Sequence, residues 1–142
     1  MNALDAALYT VLNADTGAGG VKTIATGGIF QLDAPQKTVP PYLIFQEAND
    51  TPGYTFGNLL VFDHVYYMLR AFAVNANEDG PQTAGKIADR LKVLLTNPSL
   101  TVTGKAVLSC RFDRSYPPLK EFDSANNRFI YSRGVLIEAW LV

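Results

Sequence analysis

Residues 61–74, VFDHVYYMLRAFAV, form the longest uninterrupted strand-like run of the chain, and the fold turns on how they are read. The run is rich in Val, Tyr and Phe and contains no Gly or Pro, the composition of a pleated, half-buried surface. Its odd positions, Val65, Tyr67, Leu69, Ala71 and Ala73, are wholly apolar, as a face packed under helices requires. Its even positions, Phe62, His64, Tyr66, Met68, Arg70 and Phe72, mix polar with apolar and are greasier than a wetted face needs. At ~3.3 Å per residue the run spans roughly 46 Å. A compact domain of this length is roughly 37 Å across, so the strand must bend at a bulge or project from the body.

Working outward, Leu4, Leu8, Val11 and Leu12 recur at helical spacing, which predicts an amphipathic helix over 3–14. The glycine-rich residues 15–20 end it in a flexible loop. A short strand is expected at 28–32. Pro35, Pro40 and Pro41 then break the chain before a second strand, YLIFQEA, at 42–48. Residues 49–58 read as a hairpin connection or an exposed arm. Beyond the central run, 75–80 turns the chain and Pro81 opens the surest helix, 81–96, whose stripe is Ala84, Ile87, Ala88, Leu91, Leu94 and Leu95.

Val102 suggests a short edge segment, and Ala106, Leu108, Cys110 and Phe112 alternate with Val107, Ser109, Arg111 and Asp113 as a third main strand. Residues 115–127 read as a polar, proline-interrupted loop. Residues 128–142 form the last strand, with Gly134 placed for a bulge or bend. The expected fold is one α+β domain over 1–142, in the order α-β-β-β-α-β-β. An antiparallel or mixed sheet of four to five strands carries two helices packed on one face. Two such helices shield one face only. The last strand offers apolar residues on both, Val135, Ile137 and Leu141 opposite Leu136, Trp140 and Val142. The second face therefore needs a cover, either the chain's own long loops or a neighbouring subunit, and we favour the neighbour.

Composition narrows the function classes. The length of 142 residues suits one domain, and no apolar run is long enough to span a membrane. The N-terminal stretch has no basic segment of the signal-peptide kind. A single cysteine, Cys110, cannot form an internal disulfide framework. A net charge of −1 gives no electrostatic case for nucleic acid or anionic membrane as partner. Residues 1–63 carry an excess of acids and 64–142 an excess of bases. On opposite flanks such halves would favour head-to-tail association and rings; interleaved in one sheet they would cancel.

Chemical motifs are sparse. GAGGVKT at 17–23 lacks the glycine before lysine of a phosphate loop and follows a helix. One histidine, His64, and one cysteine cannot build a zinc site, so His64 reads as a sheet-face residue and Cys110 as a small core group. No nucleophile elbow is present, and Glu78/Asp79 and Glu121/Asp123 fall in expected turns. Arg111, Arg114, Arg128 and Arg133 interleave with aromatics as a single-strand nucleic-acid platform would, but acids at Asp113, Glu121 and Glu138 are at hand to pair them. No enzymatic activity and no cofactor or metal is expected.

The layout resembles the tail completion, or tail terminator, proteins of long-tailed bacteriophages. The likeness runs through AALYTVLNAD at 6–15, GIF at 28–30, APQ at 34–36 and above all VPPYLIF at 39–45, where a proline–tyrosine pair leads into a strand. A long strand, an Ala/Leu helix and a closing strand pair complete it.

The resemblance implies a non-enzymatic virion protein of the tail near the neck, assembled in the host cytoplasm. It implies a homo-oligomeric ring, commonly hexameric, that caps the tail tube protein, ends polymerisation and meets the head–tail connector. No membrane and no sequence-specific nucleic acid are implied as partners. On this reading Tyr66, Met68, Arg70, Phe72, Leu136 and Trp140 pack between subunits. The loops bearing Pro52, Tyr54 and Phe56, and Tyr116, Lys120 and Phe122, reach the tube or connector. The alternatives are another neck or tail-tube subunit, or a small-ligand module or enzyme using the open sheet face.

Overall fold

A computed structural model describes the backbone of residues 3–54, 60–75 and 79–142, and their side chains apart from 51–54, 60 and 61. The central run becomes the long strand β3 (Leu60–Val74), third in a mixed sheet. Around it stand helices α1 (Ala3–Ala14), α2 (Val21–Ile24) and α3 (Gly80–Leu94). The remaining strands are β1 (Ile29–Gln31), β2 (Tyr42–Tyr54), β4 (Val107–Ser115), β5 (Leu119–Asp123) and β6 (Arg128–Leu141). The sheet order is β1-β2-β3-β6-β4, with β5 also on β6; β1 runs parallel to β2 and every other pairing is antiparallel.

The α+β class with helices on one face holds. The described residues carry six strands and three helices rather than four to five and two, in the order α-α-β-β-β-α-β-β-β. The extra helix is the single turn α2. The extra strand, β5, occupies the middle of the loop expected at 115–127. Pro117 and Pro118 interrupt the chain there without turning it away. The Tyr116 N–H donates to the Gly134 carbonyl, and the chain resumes pairing at Leu119–Ser132. Because β5 lies at a margin, its side chains are mostly exposed and carry no buried-strand signature.

β2 also runs further than expected, through a bulge at Ala48, to Tyr54. Its far end pairs Gly53 with Phe62 and Tyr54 with Leu60, beyond the last β6 partner of β3 at Asp63–Leu141. The surplus length of β3 is thus taken up by an arm that projects past β6. The β3–β6 ladder itself keeps continuous register from Asp63 to Val74.

Two bulges, at Leu108 and Asp113, break the simple alternation expected of β4. Val107, Cys110 and Phe112 face the core, whereas Leu108 is exposed. Gly134 introduces no register shift and stands directly opposite Arg70.

All three helices pack on the odd face of β3. Leu8, Leu12, Val21, Ile87, Leu91 and Leu95 meet Leu43, Phe45, Tyr67, Leu69, Val135 and Ile137 in one buried cluster. α3 starts where Asp79, an acid placed in an expected turn, accepts from the Gln82 N–H at 3.2 Å, with Pro81 at the first turn. Burying its stripe supplies most of the helix's stability. Two polar links join the helices to the sheet and to one another. The Tyr67 hydroxyl and Gln31 Nε2 both donate to the buried Asp5 carboxyl. Asp15, in the loop expected to be merely flexible, accepts from Arg90 Nε (2.8 Å) and Nη2 (2.7 Å) and from the Val21 N–H (2.8 Å). The Arg90 hydrogen bond is the main reason its carboxyl sits below the usual range, against the opposing effect of burial.

Candidate assembly interface

Among the described residues no helix lies on the even face of β3, and the side chains of that face are half-buried rather than sealed. Antiparallel pairing places facing residues side by side on the same surface. Three rows follow across β2, β3 and β6: Tyr42–Phe72–Ser132, Ile44–Arg70–Gly134 and Gln46–Met68–Leu136. Beyond them, Tyr66 stands opposite Glu138 and His64 opposite Trp140.

Aromatic contacts hold both ends of this surface in fixed positions. The Tyr42 and Phe72 rings stack at 5.1 Å, with Phe30 edge-on to Tyr42 at 6.5 Å. At the other end His64 lies flat on Trp140, centroids 3.8 Å apart, while Phe62 tilts against the same indole at 5.1 Å. Between these ends Met68, half-exposed, presents a flexible apolar side chain beside Leu136.

Charge on the face is dealt with in two different ways. Glu138 is buried, accepts from His64 Nε2 at 2.9 Å and pairs with Arg111. Burial alone would raise its carboxyl; the hydrogen bonds from His64 and Arg111, with Arg111's charge, outweigh that and hold it below the usual range. Burial, with the negative charge of Glu138 second, pushes the Tyr66 hydroxyl up. Arg70 differs: its Nη1 donates to the Ser132 hydroxyl at 3.0 Å, and among the described residues no carboxylate lies within ion-pair distance of it. Gly134 makes this placement possible, since a Cβ there would stand 3.2 Å from Arg70 Nη2 and 3.5 Å from the Tyr116 ring. The close approach, not a bend, accounts for the glycine.

Leu32, Ile44, Gln46, Met68, Arg70 and Phe72 line a groove of about 160 Å³. A wider cleft of about 640 Å³ lies at the Tyr42 end between residues 33–40 and 123–128, with Lys37 and Arg128 set against Asp33 and Asp123.

All six residues expected at a subunit contact therefore share one surface: Tyr66, Met68, Arg70 and Phe72 from β3, Leu136 and Trp140 from β6. Leu136 is the most enclosed, at 7% exposure. The second group does not form a loop set. Pro52 and Tyr54 belong to the β2 arm, and Phe56 lies outside the described residues. Lys120 and Phe122 sit on β5 facing away from the open surface, against Phe129, while Tyr116 bridges β4 and β5. The sequence reading missed Glu138 and Gly134 as parts of this surface. Parity with Trp140 and Leu136 along β6 was the available signal for both.

Cys110 is buried in the core, where desolvation chiefly, and Glu138 secondarily, push its thiol up to about 11.

Comparison with known proteins adds three findings. The family described as tail completion protein gp17 matches residues 6–116, from within α1 past the end of β4. Comparison with curated proteins returns no match. Among solved structures, a chain of the virion of a native gene transfer agent particle superposes with a TM-score of 0.69 at 13% identity. The match covers 97% of this chain and 93% of that one, a likeness of fold.

Proposed function

We propose, because the chain belongs to the tail completion protein gp17 family, that it forms a homo-oligomeric ring closing the end of the tail tube. Family membership makes it a structural component of the virion tail. The finer reading is that copies associate head to tail into a closed ring, six being the family-like number. That ring ends tube polymerisation and offers its outer surface to the head–tail connector. No step of this role calls for catalysis.

The observation that carries the reading is the open sheet face. A surface bearing Tyr42, Phe62, Tyr66, Met68, Phe72 and Trp140, with helices only behind it, is the kind that monomeric proteins rarely leave in water. A ring requires a heterologous contact, one margin of the sheet meeting a different margin of the next copy. The β1/β2 margin carries Asp33, Glu47 and Asp50, and the β4/β5 margin carries acids and bases together, Arg111, Asp113, Arg114, Lys120, Glu121 and Asp123.

The test replaces Met68 and Trp140 with glutamate. Folded 15.5 kDa monomers that neither assemble nor cap purified tail tubes are expected. Rings of unchanged mass from this variant would refute the interface. Added to growing tubes, the wild-type protein is expected to bind one end and halt extension; incorporation along the tube would mark it as a tube subunit instead.

A further inference from the structure

Among the described residues Arg70 stands on the open face without a countercharge, and that group points to its partner. Glu138 already has His64 and Arg111. Arg70, near the middle of the face, has only the neutral Ser132 hydroxyl. Covering a guanidinium with a second protein surface strips its water, and a carboxylate that arrives with the cover offsets that cost through charge and a matched pair of hydrogen bonds. The side chain is also held ready for such a contact. It lies over Gly134, where no Cβ intrudes, and Ser132 fixes one end of its donor fork.

Resting on that ring reading, we propose that Arg70 of each copy receives Glu121 of the next copy, while Leu119 of that copy enters the adjoining groove. Glu121 and Leu119 lie opposite Ile130 and Ser132 on β5, hence on the same face of the sheet as Arg70, and both are exposed. Among the described residues Glu121 has no ion-pair or hydrogen-bond partner. They sit at the β4/β5 margin, the one a head-to-tail contact brings against the β1/β2 side of a neighbour, where the Arg70 groove opens.

Size agrees as well. The groove of about 160 Å³ is walled by Leu32, Ile44, Met68 and Phe72. An apolar space of ~150 Å³ accepts a single ring or branched aliphatic group. Residues two apart on a strand are separated by ~7 Å, so one side chain fills the groove while the other meets the guanidinium at its edge. A carboxylate facing an arginine fork then fixes the register of the contact as well as its strength.

A charge swap tests the contact. Arg70→Glu and Glu121→Arg are made singly and together, and association is followed by sedimentation, with circular dichroism as the check on folding. Each single variant sets like charges opposite each other, and association about 30-fold weaker or worse is expected. The double variant restores opposite charges and regains most of the wild-type association. Glu121 is exposed, so its variant keeps the test valid should Arg70→Glu fold poorly. Leu119→Asp is expected to weaken assembly without loss of fold. Single variants that assemble like wild type, or a double variant no better than the worse single one, would overturn the contact while leaving the ring reading intact. Wild-type chains that remain monomers would overturn both.

Discussion

Replacing Tyr67 with phenylalanine removes one oxygen from the centre of the molecule and leaves its packing volume nearly unchanged. Tyr67 is completely buried, and its hydroxyl donates to Asp5, which is 3% exposed. The substitution leaves the Asp5 carboxyl with Gln31 Nε2 at 2.9 Å but without the phenol. A buried acceptor that loses a donor costs ~1–3 kcal/mol. For a chain of this length 1 kcal/mol corresponds to ~3 °C in Tm, so a fall of ~3–10 °C is expected. Urea unfolding gives the free energy directly, with an unchanged m-value as the check that the native and unfolded states are otherwise the same. An Asp5→Asn, Tyr67→Phe cycle isolates the pair, and a coupling of ~1–2 kcal/mol is expected. A Tyr67→Phe loss below ~0.5 kcal/mol would show that the bond does not fasten α1 to the sheet, and the account of that end of the core would fail.

Three further outcomes follow from particular groups. Glu138 has a carboxyl lowered in the folded state, so its contribution is complete above the unfolded-chain value of 4.5 and is lost as pH falls through the folded value. Stability measured from pH 7 to pH 3 should therefore drop less steeply in Glu138→Gln than in wild type; parallel curves would contradict this. Gly134→Ala should leave monomer stability within ~1 kcal/mol of wild type, or raise it, because the new Cβ meets only the movable end of Arg70 and the Tyr116 ring edge. A loss of several kcal/mol in urea unfolding would mean that the backbone itself requires glycine there. Cys110, with its thiol near 11, exposes only about one thiolate in a thousand at pH 8, and burial blocks the rest. Labelling by a disulfide reagent should wait for unfolding, whereas labelling within the mixing time would contradict the burial.

The sequence revealed most where one residue's surroundings are set by its own strand or helix. The odd positions of β3 were legible because burial under helices demands an unbroken apolar set, and Val65, Tyr67, Leu69, Ala71 and Ala73 are that set. The stripe of α3 was legible for the same reason at helical period. β5 was not, because LKEFD at a sheet margin keeps its side chains in water and follows two prolines, which is also how a loop reads. Leu108 misled because a one-residue bulge reverses facing without altering composition. Asp15 looked like loop punctuation, and its partner Arg90 lies 75 positions along the chain, beyond any local pattern.

The candidate interface divides in the same way. Alternation showed that Tyr66, Met68, Arg70 and Phe72 share a face, and β6 parity added Leu136 and Trp140. What neutralises each charge required the fold. Glu138 finds its partners on β3 and β4, and Gly134 has meaning only once Arg70 is seen to lie over it. A glycine within a strand announces either a bulge or a close approach, and the choice between them belongs to the neighbouring strand.

The mass of the intact protein in solution tests the central claim most directly. If copies of the chain cover one another's open sheet face, light scattering and native mass spectrometry will find a closed multiple of 15.5 kDa, about 93 kDa for six copies. A species that stays at 15.5 kDa up to the highest soluble concentration, and still at the ends of tail tubes, would contradict it.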